Sequence, residues 1–525
     1  MKRILALVLS LMLLAGIPAL SVAEEKSTLW FDEPIHVKAW MIDVNNDNFK
    51  NDDPIWQYIA EKTNVHFDIE FFTTTQAEAY TLRLATLEDL PDMAFRTDLD
   101  RGLMADACEG GFLVELTDDL LKEYAPTWYE FLQANPISDK LHRGYRVGLP
   151  NVDYVEYVGN MRDLLQINKV WLDELNLAVP TTVDEFTAVL QAFKDNAGKG
   201  SIPAEAIPFY YQWNHRISGM FDVLGFWGIT VTNTHWLAVK DGEVVFQGAN
   251  PEIKEPIKYL AKLYELGLTP PESFTDDRSM SQARTGSEVP YIGFVTGFNN
   301  FNSDYYIPMA PVDTGTGVQP VIRKQEFTYT GTEDFVIFND ELKEELLQLA
   351  DWMITDYEFV ANSQMGMKGF YWDYDENGKI TPFTSAEKDT KKAEVGEEEM
   401  GRNAGLGNMI CSVRADAFYA NYNDIAYEDP THRAWAYANV YSPDYIPVGE
   451  TNYREASTGD TDLDQRRKDL KVEIDNLRST TLTRWITGQG DIDAEWDAYV
   501  AQLNALGLEE YLELCQMGYD TLGLN

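Results

Sequence analysis

Residues 161–195 read MRDLLQINKVWLDELNLAVPTTVDEFTAVLQAFKD, and this stretch carries the clearest local signals in the chain. It predicts two short helices around a break at 179–182, Val-Pro-Thr-Thr. Thr182 is a favourable N-cap for the second helix, and Glu185, three residues later, completes a capping box. The apolar residues that follow recur at helical spacing and predict a face packed on a core: Val183, Phe186, Leu190 and Phe193.

The first 23 residues have the three parts of a cleavable secretory signal. Lys2 and Arg3 form a basic start, residues 4–14 form an apolar run too short to span a bilayer comfortably, and residues 21–23, Ser-Val-Ala, suit a signal peptidase. We therefore expect a secreted protein, extracellular or associated with the cell envelope. Ile17 stands where a lipobox needs a cysteine, so we expect no lipid anchor at this signal.

The chain has 525 residues, which is too long for one hydrophobic core and suggests two or three domains. It carries 86 acidic and 42 basic side chains, a formal net charge of −44. Such a chain repels phosphate backbones and anionic lipids, so the charge argues against nucleic-acid binding. By itself the acidity indicates solubility and no particular ligand.

The cysteines and histidines form no recognisable chemical motif. Cys108, Cys411 and Cys515 lie far apart without CxxC spacing, so at most one disulfide can form, and the sequence does not say which. The six histidines show no HExxH or His-x-His pattern, which leaves a zinc site or a catalytic triad without support. We expect inert or structural cysteines, no cofactor and no metal.

The N-terminal part of the chain alternates strands with helices. Strands are predicted at 35–43, 65–72 and 90–95, with helices at 53–62 and 76–87 between them. This β-α-β-α-β order favours an α/β fold in which a mostly parallel sheet is covered by helices.

Farther along, the sequence predicts a hairpin at 241–246, an amphipathic helix at 251–267, a strand at 289–295 and a helix at 340–355. Residues 385–402 are rich in Lys and Glu and predict a solvated helix or loop. A last amphipathic helix places four apolar residues on one face: Ile492, Trp496, Val500 and Leu503.

Three motifs in this order resemble those of extracellular solute-binding proteins of oligosaccharide ABC importers. The first is the opening stretch, with Arg-Asp-Leu-Leu, a Trp-Leu-Asp-x-Leu helix and Val-Pro-Thr-Thr. The second joins Lys-Asp-Gly-Glu at 240–243, Leu-Tyr-Glu-Leu-Gly-Leu at 263–268 and Pro-Glu-Ser-Phe-Thr at 271–275. The third is Ile-Thr-Gly at 486–488 before the last amphipathic helix. The resemblance is greatest to members that carry aldouronates or alginate oligosaccharides.

This resemblance implies a periplasmic-binding-protein-like fold, with two α/β lobes joined by hinge strands around a ligand cleft. The implied division is a signal at 1–23, a first lobe of residues 24–150 plus about 296–330, and a larger second lobe of residues 151–295 plus about 331–525. A hinge strand is implied at 145–150.

The function implied is that of the substrate-binding component of an ABC transporter. A monomer would capture an oligosaccharide in the cleft between the lobes and deliver it to the permease subunits, without catalysis. Two alternatives stay open: a secreted carbohydrate-active hydrolase, and a solute receptor for a non-sugar ligand.

Candidate ligand contacts follow from the chemistry of sugars, whose rings stack on aromatic side chains and whose hydroxyls pair with polar ones. Cleft residues of α/β lobes also come from the carboxyl ends of strands. The aromatic candidates are equally suited to a core, and Asp43 to an N-cap or loop contact. We expect both Trp213→Ala and Trp372→Ala to weaken binding without unfolding. The full set is Trp40, Asp43, Trp213, Asn214, Trp227, Phe298, Asn299, Trp372 and Trp435.

The resemblance also implies a calcium loop directly after Asp195. Here residues 195–206 read DNAGKGSIPAEA; the later Asp-Glu pair is missing and Lys199 adds a positive charge, so we expect a loop without its ion. Residues 373–378, Asp-Tyr-Asp-Glu-Asn-Gly, imitate half of an EF-hand, but Thr384 stands where the bidentate Glu belongs. A hairpin turn at 375–378 is the expected structure there.

Overall fold

The computed structural model describes most of the chain between residues 29 and 521. The described ranges are 29–43, 49–73, 76–87, 89–96, 101–135, 141, 144–154, 164–213, 221–231, 236–297, 304–323, 328–407, 410–414, 418, 420–423, 435–436, 439–447 and 450–521. The predicted signal at 1–23 lies outside them.

The N-terminal strands form the parallel part of a six-stranded sheet. Strands β1 (Ile35–Asp43), β2 (Val65–Thr73) and β3 (Met93–Phe95) pair in parallel in the order β2-β1-β3. Helices α1 (Pro54–Thr63) and α2 (Ala77–Thr86) connect them, which confirms the predicted β-α-β-α-β start.

This sheet is buried on both faces, because successive side chains of a strand point to opposite sides. Val37, Ala39 and Met41 of β1 enter a core that includes Ile55, Trp56 and Ile59 of α1. Trp40 and Ile42, from the same strand, enter a second core with Tyr80 of α2. The two cores together explain why β1 is apolar almost throughout.

Three later strands complete the first sheet: β4 (Leu149–Tyr154), β11 (Thr328–Ile337) and β14 (Ser412–Arg414). The strand order is β14-β4-β11-β3-β1-β2. Strand β11 runs antiparallel to both β3 and β4, and β14 runs parallel to β4. A separate two-stranded hairpin pairs β12 (Trp372–Tyr374) with β13 (Ile380–Pro382).

The second sheet has four strands: β5 (Leu164–Asn168), β6 (Ile207–Tyr210), β9 (Ile292–Gly297) and β10 (Tyr306–Met309). Their order is β10-β5-β9-β6. Strand β5 runs antiparallel to β9 and β10, and β6 runs parallel to β9. A three-stranded sheet, β15 (Glu450–Asn452), β7 (Leu237–Lys240) and β8 (Glu243–Phe246), contributes to the same core.

The remaining helices follow in chain order. They are α3 (Arg101–Glu109), α4 (Asp118–Tyr124), α5 (Pro126–Ala134), α6 (Lys169–Glu174), α7 (Val183–Asp195), α8 (Phe221–Leu224), α9 (Lys254–Glu265), α10 (Arg278–Thr285), α11 (Lys343–Thr355), α12 (Tyr357–Met365), α13 (Ser385–Val395), α14 (Glu397–Arg402), α15 (Thr461–Ile486), α16 (Ile492–Ala505) and α17 (Leu508–Asp520). Short 3-10 turns lie at Gly225–Trp227, Gln247–Ala249, Pro251–Ile253, Pro271–Phe274, Asp340–Leu342 and Pro443–Tyr445.

The opening stretch of the sequence analysis forms one strand and two helices. The Thr182 side chain accepts a hydrogen bond from the Glu185 backbone N–H, which confirms the capping box at the start of α7. Phe186, Leu190 and Phe193 are fully buried, as the helical spacing predicted. The first half differs from the prediction: β5 precedes the short helix α6, because all five of its residues lie inside the second sheet.

The hairpin predicted at 241–246 is confirmed as β7 and β8. Lys240 pairs with Glu243 across a two-residue turn in which Asp241 has φ 50° and Gly242 has φ 86°. Positive φ at both central residues is the type I′ geometry, whose twist suits antiparallel strands and which Asp-Gly favours.

The strand pairings divide the chain differently from the predicted boundaries. Residues 304–323 belong with the second sheet, because β10 pairs with β5; the prediction had placed about 296–330 in the first lobe. Residues 331–414 belong with the first sheet, because β11 and β14 pair with its strands and α11 packs on its core; the prediction had placed them in the second lobe.

The chain therefore passes three times between two bodies. The first body contains residues 29–154 and 328–423, and the second contains residues 164–323 and 435–521. Within the described ranges, no helix combines the length and apolar character needed to cross a bilayer.

The described cysteines are all buried and unpaired, so we expect no disulfide. Burial raises the pKa of the Cys108 thiol to about 11 and also raises the pKa values of Cys411 and Cys515. Because the thiolate is the reactive species, native protein at pH 8 should label slowly at all three positions.

Alkylation followed by mass spectrometry tests this expectation. Protein unfolded in guanidinium without a reducing agent should take up three labels, and native protein should take up almost none in the same time. An unfolded protein that takes up only one label would show that two cysteines are paired.

Candidate ligand-binding site

The chain crosses from the first body to the second at the carboxyl ends of the parallel strands of the first sheet. Strand β11 pairs with β3 through Val336 and continues beside β4 until Thr328 pairs with Tyr154. These two strands thus extend past the end of β3 toward the crossing residues 155–163 and 324–327. Because β1 is parallel to β3, Asp43 ends its strand on the same side.

The second sheet presents a matching edge. Leu164 pairs with Gly297, so the start of β5, directly after a crossing, lies beside the end of β9. Strand β6 is parallel to β9 and ends at Tyr210, which places Trp213 just beyond this edge. Ligands of open α/β sheets bind outside the carboxyl ends of the strands, so the edges joined by the crossings form the candidate site.

Trp213 is held at this edge by three separate segments. Its backbone N–H donates to the Ser273 carbonyl (2.8 Å), and its indole N–H donates to Ser479 Oγ (2.9 Å). Its ring packs on Phe274 with centroids 5.5 Å apart at 44°. The side chain is nevertheless half-buried rather than buried. A ring already fixed in one orientation can stack on a ligand with little further loss of side-chain entropy.

A polar network surrounds the last residue of β6, shortly before Trp213 in the sequence. The Tyr210 hydroxyl donates to Asp276 Oδ2 (2.8 Å), and Arg284 Nε donates to the same carboxylate (2.5 Å). The Asp276 carboxylate raises the pKa of Arg284, and burial raises the pKa of Tyr210. Gln212 donates to the Asp276 carbonyl (3.1 Å), while its Oε1 has no hydrogen-bond partner in this structure. This network makes the end of β6 rigid and polar.

Three candidates lie outside the described residues. Asn214 follows Trp213 directly in the sequence, and Phe298 and Asn299 follow Gly297, the last residue of β9. Their roles stay predictions.

Trp40 and Asp43 are both buried in the first body. Trp40 is 2% exposed; its indole N–H donates to Glu70 Oε2 (3.1 Å), and the Arg83 guanidinium lies 4.4 Å from its ring centroid. The ring also packs on Tyr80, with centroids 5.1 Å apart. Trp40 therefore has the core role that the sequence left open. A ligand contact at either residue stays a prediction.

Trp372 is fully buried in a satellite core of the first body. Its indole N–H donates to Asn362 Oδ1 (3.2 Å), and it packs with Ile380 and Phe418. The structure thus disagrees with the expectation that Trp372→Ala leaves folding intact, because removing a fully covered indole opens a large cavity.

Trp227 and Trp435 are half-buried in the second body. Trp227 lies in the 225–227 turn, and its ring centroid is 5.2 Å from that of Tyr259. Trp435 packs in a cluster with Leu164 and Ile322, which flank two of the crossings. Trp435 is therefore near two of the crossings, and Trp227 is packed against the second core.

Sequence reasoning missed two residues beside Trp213. Gln212 belongs to the aromatic and polar run Tyr-Gln-Trp-Asn-His-Arg at 211–216, so its neighbours in the sequence were a usable signal. Ser479 gave no signal, because it lies 266 positions away in a charged helix and meets Trp213 only through the tertiary fold.

No acidic or histidine-rich ion site is visible in the described part of the chain. No group of three or more His, Cys, Asp or Glu side chains there is arranged to hold a metal ion. Of the EF-hand-like residues 373–378, the first two end β12 and residues 375–378 lie in the hairpin turn, as expected. The Asp375 carboxylate accepts the backbone N–H groups of Asn377 and Lys379, both at 2.8 Å, and these bonds lower its pKa.

No family model matches the chain. Its sequence is 24% identical over 488 residues to the fructooligosaccharide ABC transporter substrate-binding protein FusA of Streptococcus pneumoniae, which covers 90% of this chain and 88% of FusA. The structure of FusA in complex with kestose superposes with a TM-score of 0.75 at 21% identity, covering 93% of this chain and 99% of that one. An EF-hand mutant of FusA with fructo-nystose gives the same TM-score at 22% identity.

Two further solved structures have the same fold. One is an HMO-binding, ABC-transporter-associated solute-binding protein of Bifidobacterium longum infantis, with a TM-score of 0.73 at 21% identity over 93% of this chain and 99% of that one. The other is the alginate-binding protein AlgQ2 without calcium ion, with a TM-score of 0.67 at 20% identity over 94% and 100% of the two chains. The chain thus has the fold of the extracellular solute-binding proteins, and the predicted resemblance to those of oligosaccharide ABC importers is confirmed over nearly its whole length.

Proposed function

We propose that this protein is the extracellular substrate-binding component of an ABC importer for an oligosaccharide. It captures the sugar between its two bodies and delivers it to the permease, as a monomer and without catalysis. The observation that carries this proposal is the pair of sheet edges next to the crossings, with the fixed, half-buried Trp213 ring at one of them. The resemblance to FusA across 90% of the chain supports the same conclusion.

The hinge end of the second body supports a closing motion. The Leu165 backbone N–H donates to the Tyr441 hydroxyl (2.9 Å), and the Ile322 N–H donates to the Tyr445 carbonyl (2.7 Å). Residues that follow or precede all three crossings are thereby tied into one buried cluster. A hinge restricted to the crossings lets two rigid bodies close on a ligand as units.

The chemistry of the edge fits a sugar better than a reaction. An indole offers an apolar face for the C–H groups of a sugar ring. A glycoside hydrolase would instead need two carboxyl groups set across the scissile bond. With 86 acidic side chains in the sequence, a pair of carboxylates by itself carries no weight.

A glycan panel tests the proposed function. The first glycans to test are kestose and nystose, because FusA resembles this chain and its solved complexes contain kestose and fructo-nystose. Milk oligosaccharides, alginate oligomers, aldouronates and xylans follow. A glycan present at about 100 times its Kd stabilises the folded chain by about 2.7 kcal/mol, which should raise the melting temperature measurably. Chromatography of the same mixtures should return each glycan unchanged.

Each other outcome has a definite meaning. A panel without any thermal shift would contradict the sugar assignment, and shifts with peptides or other solutes alone would favour a non-sugar receptor. Products in the chromatogram would favour the hydrolase.

A pair of tryptophan variants tests the site. Trp213→Ala should weaken binding of the best glycan by roughly tenfold or more, because it removes the stacking face, and should leave the melting temperature nearly unchanged. Trp372→Ala should instead lower the free energy of unfolding by about 3–5 kcal/mol, because it empties a buried site. Isothermal titration and thermal unfolding distinguish the two.

Trp213→Phe is the matched control, since it keeps an aromatic face and gives up the hydrogen bond to Ser479. It should bind with an affinity between those of the parent and Trp213→Ala. A Trp213→Ala protein that binds as tightly as the parent would remove Trp213 from the site.

A further inference from the structure

The loop that follows α7, residues 195–202, lies where the resemblance implies a calcium ion. We propose that this loop keeps its conformation without a metal ion. The Lys199 ammonium stands in the place of the cation, and the Glu174 carboxylate binds the other side of the loop at Ser201. The proposal concerns the second body alone and does not depend on which ligand the protein binds.

The oxygen donors of this loop do not suit calcium. Ca²⁺ takes six to eight oxygens, several of them from carboxylates. Residues 195–206 contain only two carboxylates, Asp195 and Glu205. Asp195 Oδ1 already accepts a hydrogen bond from Gln191 Nε2 (2.8 Å). Throughout 164–213, which the structure describes without a break, no cluster of acidic, His or Cys side chains forms a metal site.

The Lys199 ammonium donates hydrogen bonds to two other oxygens of the loop. Its Nζ lies 2.8 Å from the carbonyl oxygen of Asp195 and 3.2 Å from Asn196 Oδ1. A backbone carbonyl and an amide oxygen are groups that an EF-hand-type loop offers to its ion. Both distances are those of N–H···O hydrogen bonds and exceed the 2.3–2.6 Å of Ca²⁺–O bonds. The positive charge at this loop thus comes from a lysine side chain of the protein and not from a bound ion.

Glu174 fixes the far side of the loop. Its Oε2 accepts the Ser201 backbone N–H (2.8 Å) and the Ser201 hydroxyl, and these bonds lower the pKa of Glu174. Gly200 makes this approach possible, because a Cβ there would stand 1.4 Å from Glu174 Oε1. In this loop the Glu174 carboxylate is therefore used to bind Ser201.

The backbone closes the loop on the core. Gly198 N–H donates to the Ile202 carbonyl (2.9 Å), and Ile202 N–H donates to the Lys199 carbonyl (3.0 Å). Ile202 is 1% exposed and packs in the core of the second body. The loop conformation that positions Ile202 thus depends on groups of the chain itself.

Metal content and thermal unfolding of the parent chain give the first test. After dialysis against CaCl2, the protein should carry far less than one calcium per chain by mass spectrometry of the element. Its melting temperature should be the same in excess EDTA and in excess CaCl2. A stoichiometric calcium, or a melting temperature that falls on chelation, would overturn the proposal.

Two Lys199 variants test the role of the ammonium. Lys199→Met keeps most of the stem and removes the charge, and should lower the melting temperature by roughly 2 °C. Lys262→Met, an exposed lysine of α9, is the matched control and should change it less. Equal effects of the two substitutions would refute a specific role of Lys199.

Lys199→Asp reverses the charge among the same oxygens. This protein should be less stable than Lys199→Met in EDTA, because the new carboxylate lies close to Asp195. Calcium should then raise its melting temperature by about 2 °C or more, while leaving the parent unchanged. A Lys199→Asp protein that does not respond to calcium would show that these oxygens do not form a cation position.

Discussion

The pairing of β4 with β11 is the constraint on which the two-body arrangement depends. Their outer ends meet where Tyr154 pairs with Thr328, next to the residues that cross to the second body. The pairing is reinforced by a buried side chain, because Asp334 of β11 accepts the Asn151 backbone N–H of β4 (3.0 Å). The Asn151 amide donates in turn to Ser412 Oγ of β14 (3.0 Å). Strands β4, β11 and β14 are thus linked by groups that would be costly to bury without partners.

That linkage explains why the candidate site lies at the sheet edges. Strands that run on past their neighbours carry the chain out of one body beside the ends of the parallel strands. On the other side, Leu164 is fully buried and pairs with Gly297, so the chain enters the second body at an equally fixed point. The geometry of the edges is therefore set by strand register.

Local signals in the sequence predicted the helices, strands and turns well, but they did not predict which strands pair with each other. The capping box at Thr182, the Asp241-Gly242 hairpin and the alternation of strands and helices at the start of the chain depend on neighbouring residues, and all are present. The assignment of β10 and β11 to sheets was wrong, because the sequence of a strand does not specify which edge it pairs with. Register is decided by contacts between residues far apart in the sequence.

The sequence likewise did not distinguish a tryptophan of the candidate site from a tryptophan of a core. Trp40, Trp213 and Trp372 are equally apolar, and each donates its indole N–H to a partner. The distinction lies in how completely other segments cover the ring, which only the tertiary fold determines. Composition identified the kind of residue that could bind a sugar, and burial then separated a half-buried ring from two that belong to cores.

Helix α15 shows why part of the site had no sequence signal. Its 26 residues are strongly charged, and the face that packs on the second core, with Leu470, Ile474 and Trp485, also carries the almost fully buried Arg478. The Arg478 guanidinium lies 5.1 Å from the Trp236 ring centroid and pairs with Asp475 (3.5 Å), while burial lowers its pKa. An arginine can be buried in this way because its planar cation stacks on an aromatic face and keeps an acidic partner. The next residue, Ser479, is therefore held firmly enough to orient Trp213, and nothing in the local sequence of this helix indicates that contact.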